Sequence, residues 1–385
     1  MSRILGIAEV LAGHRWAVAS FPTVIIRWIT IVSLLLLVGS VIFIAVVWKP
    51  TMSDDPFLEE VRTRLALRAR AILSGAWLGA VCGSIASFVL RAGTGDLASS
   101  TALSIGSVAR VASTQFGVVT LARVGLLALV AALWTVFPAR RALRRRCDRG
   151  ENQGSGETLA VVVAAVVGLG LLATSGLSGH AGTATPVVLN LFSSTLHLAA
   201  AACWIGGLVM LVFALYPATA ALAHGERVRI LGLAVSRFSD MAVLAVGVLV
   251  VSGSFRSWAE VRTLSALTGT AYGLVLLGKL AVFLPMLGLG ALNNRWLKPR
   301  LQRAAEAPGA GPAPLAILRR MMILEVTLAA LVIGATAVLV NLTPPRTAAG
   351  SGGTFITQVG TEAGNAREGP SASDTNPPTI APYLA

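Results

Sequence analysis

Two imidazoles, His180 in SGLSGHAG and His197 in STLHLAAAACWIGGLVML, lie seventeen positions apart in a chain with four histidines in all. The residues between them leave one apolar stretch and enter the next, so both rings are expected near the same face of a membrane. Paired imidazoles ligate copper, zinc or haem iron. Trp204 follows His197 by seven positions, which places it on the same face of a regular helix, and Gly206 and Gly207 allow a second helix to approach closely.

Three further ionisable residues interrupt apolar sequence: Arg123 in FGVVTLARVGLLAL, Lys279 in YGLVLLGKLAVFLP and Glu325 in RRMMILEVTLAAL. A charge within a bilayer costs a few kcal/mol or more, so such residues mark sites or pathways. Arg123 and Lys279 are expected at the level of the histidines, with no carboxylate beside them. Two cations and two imidazoles suit a b-type haem, with the histidines on iron and Arg123 and Lys279 on the propionates. For a copper path the metal ligands would be His180 and His197, with Cys203, Met210, Met286 and Glu325 as further candidates and the Met321–Met322 pair at the far side. A metal-free accessory membrane protein, with His197 as a packing residue, is the third reading, beside copper handling and haem-based electron transfer. Cys82 and Cys203 fall in different apolar runs with no CxxC spacing, which excludes a disulfide framework and suits small apolar packing. No hydrolase or transferase constellation and no phosphate-binding glycine loop is present, so no enzymatic activity is expected.

The elements that must hold these residues are written in the composition. Hydrophobic residues make up 55% of the chain and charged residues only 12%, too few charges for a soluble globular domain. Eight runs approach the roughly 20 residues needed to cross a bilayer: Ile25 to Trp48, Ala71 to Leu90, Gly117 to Phe137, Leu159 to Leu177, Leu191 to Tyr216, Phe238 to Phe255, Ala271 to Leu292 and Met321 to Asn341. Each is apolar all round and not alternately so, which excludes a barrel and predicts an all-α polytopic bundle of about eight transmembrane helices.

The formal net charge of +14 is a matter of loops. If the N-terminus is outside, the segments 49–70, 138–157, 217–237 and 294–320 face the cytoplasm and carry 20 Lys and Arg, against 9 in the outward segments. The positive-inside rule therefore puts both termini outside the cytoplasm, in a multi-pass protein of a bacterial cytoplasmic membrane. The basic run RRALRRRC (140–147) reads as an anchor on anionic lipid and not as a nucleic-acid site. The chain divides into a short outer segment (1–24), three helices with the basic loop 138–157 (25–157), a five-helix core (158–345) and a Gly, Pro, Ser and Thr-rich tail (346–385) expected to be disordered. Residues 1–24 show no cleavable signal peptide.

The stretches SGHA (178–181), LHLAAAACWIGGL (196–208), SRFSDMAVLAVGVLVVSG (236–253), TAYGLVLLGKLAVFLPMLGLGALNN (270–294) and LEVTLAALVIGATAVLVNLTPP (324–345) together resemble the bacterial copper-resistance CopD family. The likeness is close over residues 170–345 and looser before them, through Phe116, Gly117 and Arg123. It implies an inner-membrane protein of copper uptake or homeostasis that works with a small copper-binding CopC domain on the outer side. Residues 1–24 are too short for that domain and lack its His-rich or Met-rich pattern, so a separate outer copper donor is expected. Asp240 stands where the family commonly has a basic residue.

Overall fold

The computed structural model describes residues 21–51, 58–93, 105–147, 153–178, 186–306, 313–342 and Pro345. Ten helices account for nearly all of them, and no strand occurs among the described residues. They are α1 (Phe21–Thr51), α2 (Glu59–Gly93), the short α3 (Ile105–Ala112), α4 (Gln115–Cys147), α5 (Gln153–Leu177), α6 (Val187–Ala221), α7 (His224–Val261), the short α8 (Leu264–Gly269), α9 (Ala271–Arg303) and α10 (Ala313–Leu339). All but α3 and α8 are long and apolar enough to cross a membrane, which gives the eight spans expected from the sequence.

Several helices run past the apolar runs that reveal them. The segment 59–70, read as loop, is the first third of α2, where Arg62 pairs with Glu59 at 3.3 Å and Arg64 with Glu60 at 2.5 Å. These three- and four-residue spacings favour helix whatever the hydropathy. In the same way α7 continues to Val261, and α10 begins at Ala313 instead of Met321. Arg262, at φ 59°, turns the chain out of α7. Thr263 and Thr270 then cap α8 and α9 by accepting from the backbone N–H of Ala266 and Gly273.

Helix α6 is the most enclosed element, with Ala202, Met210, Ala214 and Leu215 all fully buried. Its neighbours turn apolar side chains outward: Leu244 and Val251 on α7 are each 72% exposed, a surface suited to lipid and not to water. Helix α1 crosses α6 at two glycines. A Cβ on Gly39 would lie 1.9 Å from the Ala202 carbonyl oxygen, so the backbones touch in the manner of small-residue crossings in membranes. At this crossing α6 widens into π-helical turns, at Ala202–Gly206 and again at Met210–Leu215. Further π-helical turns interrupt α1 at Ile44–Trp48 and α9 at Asn293–Leu297.

Side-chain bonds fix which ends lie together. Arg27 at the start of α1 donates to Asn341 Oδ1 (3.1 Å) just past the end of α10 and to Ser178 O (3.5 Å) just past α5. At the other end Tyr216 of α6 donates to Leu315 O of α10 (3.4 Å), and Lys298 of α9 pairs with Asp240 of α7 (2.8 Å). The bundle thus has a terminal end, where α1 begins and α10 finishes, and a loop end opposite.

Candidate functional site

Counted from the terminal end, Arg123 stands eight residues into α4, Lys279 eight into α9, Ser252 nine before the close of α7 and His197 ten into α6. At 1.5 Å per residue all four lie about 12 to 15 Å deep, in one layer. Within that layer the structure forms two separate groups.

The first is built on Arg123, which is only 6% exposed. Its Nε donates to Thr174 Oγ1 (2.8 Å), and its Nη2 donates to Thr174 O and Ser178 Oγ (both 2.9 Å). Both hydroxyls send their own hydrogens back along α5, to Leu171 O and Thr174 O, and so offer lone pairs to the guanidinium. The neighbouring cation is Arg27. This arrangement staples α4 to α5 and leaves Arg123 turned toward α5.

His197 organises the second group. Its Nδ1 lies 2.9 Å from Ser252 Oγ on α7, and Ser252 Oγ is 2.5 Å from Val248 O one turn earlier. A serine hydroxyl has one hydrogen, and here the backbone carbonyl takes it. With that hydrogen engaged, Nδ1 supplies the hydrogen of its own bond, and the lone pair of the neutral ring is then on Nε2. Lys279 of α9 and Arg256 of α7 are the cations acting on this imidazole. One turn beyond Arg256, Glu260 is buried at 8% exposure, a carboxyl enclosed by the extension of α7 that the sequence reading treated as loop.

The sequence-predicted residues are distributed accordingly. His180 lies outside the described residues, so the histidine pair cannot be traced. Arg123 and Lys279, which the alternative haem reading sets on the propionates, have different neighbours: Arg123 is bonded to α5, and the cation acting on Lys279 is Arg256. Trp204 meets Phe283 of α9 edge-on, ring centroids 6.2 Å apart, one turn along α9 from the Lys279 that acts on His197. Met210 and Met286 are fully buried in the apolar core, Cys203 is half-buried beside them, and Cys82 is exposed on the outer face of α2 instead of packed inside. No cluster of three or more His, Cys, Asp or Glu able to hold a metal occurs among the described residues.

Glu325 is 2% exposed on α10, and its Oε1 accepts from Asn293 Nδ2 at 2.6 Å. Its carboxylate is thus engaged by α9 and meets neither the histidine layer nor Lys279. Ser252, Thr174, Ser178 and Asn293 were not anticipated. Their only signal in the sequence is a hydroxyl or amide within an apolar run, which is common and without direction.

A chain whose described residues form helices without strands, eight of them of lipid-crossing length and with buried polar side chains at defined depths, is a polytopic membrane protein. Residues 18–187 match the family described as copper resistance protein D-like, N-terminal domain, and residues 232–339 match copper resistance protein D. The chain belongs to the copper resistance protein D family, whose members are copper resistance and transport proteins. It is 35% identical over 137 residues to a copper transport protein, CutJ, of Bacillus subtilis (strain 168), covering 35% of this chain and 24% of that one. It is 30% identical over 188 residues to copper resistance protein D of Pseudomonas syringae pv. tomato, covering 48% of this chain and 60% of that one. The matches therefore span less than two thirds of either relative. No solved structure matches the chain.

Proposed function

We propose that this protein moves copper ions across the bacterial cytoplasmic membrane, with His197 as the ligand that meets the ion first. The observation that carries the reading is the hydrogen-bond chain from His197 Nδ1 through Ser252 Oγ to Val248 O, which holds a metal-ligating nitrogen ready at a fixed orientation. Family membership supplies copper as the cargo. The excess of basic residues in the loop-end segments supports an orientation with the terminal end, and both chain termini, outside the cytoplasm.

In this reading copper is captured at the outer face by His180 and His197, delivered by an extracytoplasmic donor resembling CopC. It passes between α6, α7, α9 and α10 and leaves at the loop end beyond Met321 and Met322. Lys279 and Arg256 oppose a bare cation resting at His197, so they serve as a gate that favours transit over storage. The basic loop-end segments rest on anionic lipid.

The test is uptake of radioactive copper into proteoliposomes by the wild type and by His197→Ala and His197→Gln. Copper accumulation that falls at least tenfold in both variants supports the reading. Accumulation no faster than in protein-free vesicles, or equal in all three proteins, ends it.

A further inference from the structure

The most deeply buried carboxyl among the described residues belongs to Glu325, at 2% exposure, and it has no part in the histidine layer. Its one hydrogen-bond partner there is the neutral amide of Asn293, at 2.6 Å, and it joins no ion pair. The charged groups on the elements packed against α10 are engaged, turned away or distant. On α9, Lys298 is held by Asp240, Arg295, Arg300 and Arg303 are exposed, and Lys279 lies about 21 Å along the helix from Asn293; on α1, Lys49 is exposed and Arg27 is bound to Asn341 at the opposite end; on α6, His197 is bound to Ser252. On α10 itself Arg319 and Arg320 are exposed.

An ionised carboxylate enclosed in apolar packing with no cation is costly, and one amide does not offset it. Asn293 can serve either state of the acid. Its Nδ2 donates to a carboxylate; after a half-turn of the amide, its Oδ1 accepts from a carboxylic O–H. In the orientation shown, Oδ1 is buried with no hydrogen-bond partner; the half-turn that lets it accept from a protonated Glu325 puts the NH2 group in that place instead. The amide sits on the first residue of the π-helical turn Asn293–Leu297, a local widening of the kind that recurs at functional positions.

We infer that Glu325 and Asn293 form a proton-binding site: the carboxyl holds a proton while the bundle is closed and releases it to the loop-end aqueous phase when a copper ion enters the core. The coupling half of this inference rests on the transport reading above; the bound proton does not. Glu325 acts as a counter-charge and not as a copper ligand. The proton leaves as the cation arrives, so the net charge inside the low-dielectric core changes little.

The experiment joins two measurements on one reconstituted preparation of the whole protein, wild type beside Glu325→Gln and Asn293→Leu. Glu325→Gln keeps the shape and can still bond to Asn293. Infrared difference spectra over a pH series should show a carboxylic C=O band that fades as pH rises, is missing in Glu325→Gln and shifts in Asn293→Leu. With a pH dye in the lumen of vesicles that hold the terminal end outward, copper entry should acidify the lumen in the wild type and not in Glu325→Gln. A wild-type spectrum without the band overturns the inference. Wild-type copper flux accompanied by proton movement that Glu325→Gln leaves unchanged overturns the coupling. The band without any copper flux would sink the transport reading and leave the proton site established.

Discussion

Gly39 on α1 and Gly206 on α6 stand so close that a Cβ built on Gly206 would lie 2.6 Å from the Gly39 Cα. Both obstacles are backbone, so nothing nearby can swing aside. Gly39→Val and Gly206→Val should each force the helices apart at the most enclosed part of the bundle, at a cost of about 1 to 3 kcal/mol or more. Thermal unfolding in detergent should show both variants well below the wild type. Gly75→Ala, where nothing lies within 4 Å, is the control and should be neutral or better, as alanine favours helix.

Ser252 touches no metal in the proposed path, yet it decides which nitrogen of His197 carries the hydrogen. Ser252→Ala should weaken copper binding by roughly 10- to 100-fold, the usual effect of losing the group that orients a ligating histidine, with the fold intact. Ser252→Thr keeps the hydroxyl and should recover most of the affinity. A copper titration of the detergent-purified proteins reads this directly; equal affinity in Ser252→Ala would show that the His197 ring needs no anchor.

Arg123 is expected to matter for stability and not for copper. Thr174→Val removes the hydroxyl acceptor of its Nε while filling the same volume, and a buried charged donor left unmet costs about 1 to 3 kcal/mol. Arg123→Lys retains the charge but cannot reproduce three bonds spread over two residues of α5. Both should lower the unfolding temperature and leave copper affinity per folded molecule unchanged. A selective loss of copper binding in either would reunite Arg123 with the His197 group.

The eight spans were legible because hydropathy over about 20 residues reports lipid crossing directly. The ends were less so: α2 begins at Glu59, with charged residues that pair along its own turns, and hydropathy takes these for loop. The polar layer was legible in depth and not in partnership. Counting residues puts Arg123, Lys279 and His197 at one level. Whether Arg123 turns to Thr174 or to Lys279 depends on the rotation of α4 against α5, which no spacing within α4 encodes. Ser252 lies 55 positions from His197 and Asn293 lies 32 from Glu325, and such pairings exist only once the helices are packed.

The orientation expected from the charge distribution can be read chemically. In a variant whose three native cysteines are replaced by serine or alanine, Ser265→Cys probes α8 at the terminal end and Gln302→Cys probes the end of α9 at the loop end, both exposed positions. With 20 basic residues in the loop-end segments against 9 in the others, the loop end should face the cytoplasm. A membrane-impermeant maleimide applied to intact spheroplasts should label Cys at position 265 at once and at position 302 only after lysis. The reverse pattern would place His197 in the cytoplasmic half and turn the proposed path around, so that the layer closed by Ser252 would be where copper leaves and the Met321–Met322 end where it enters.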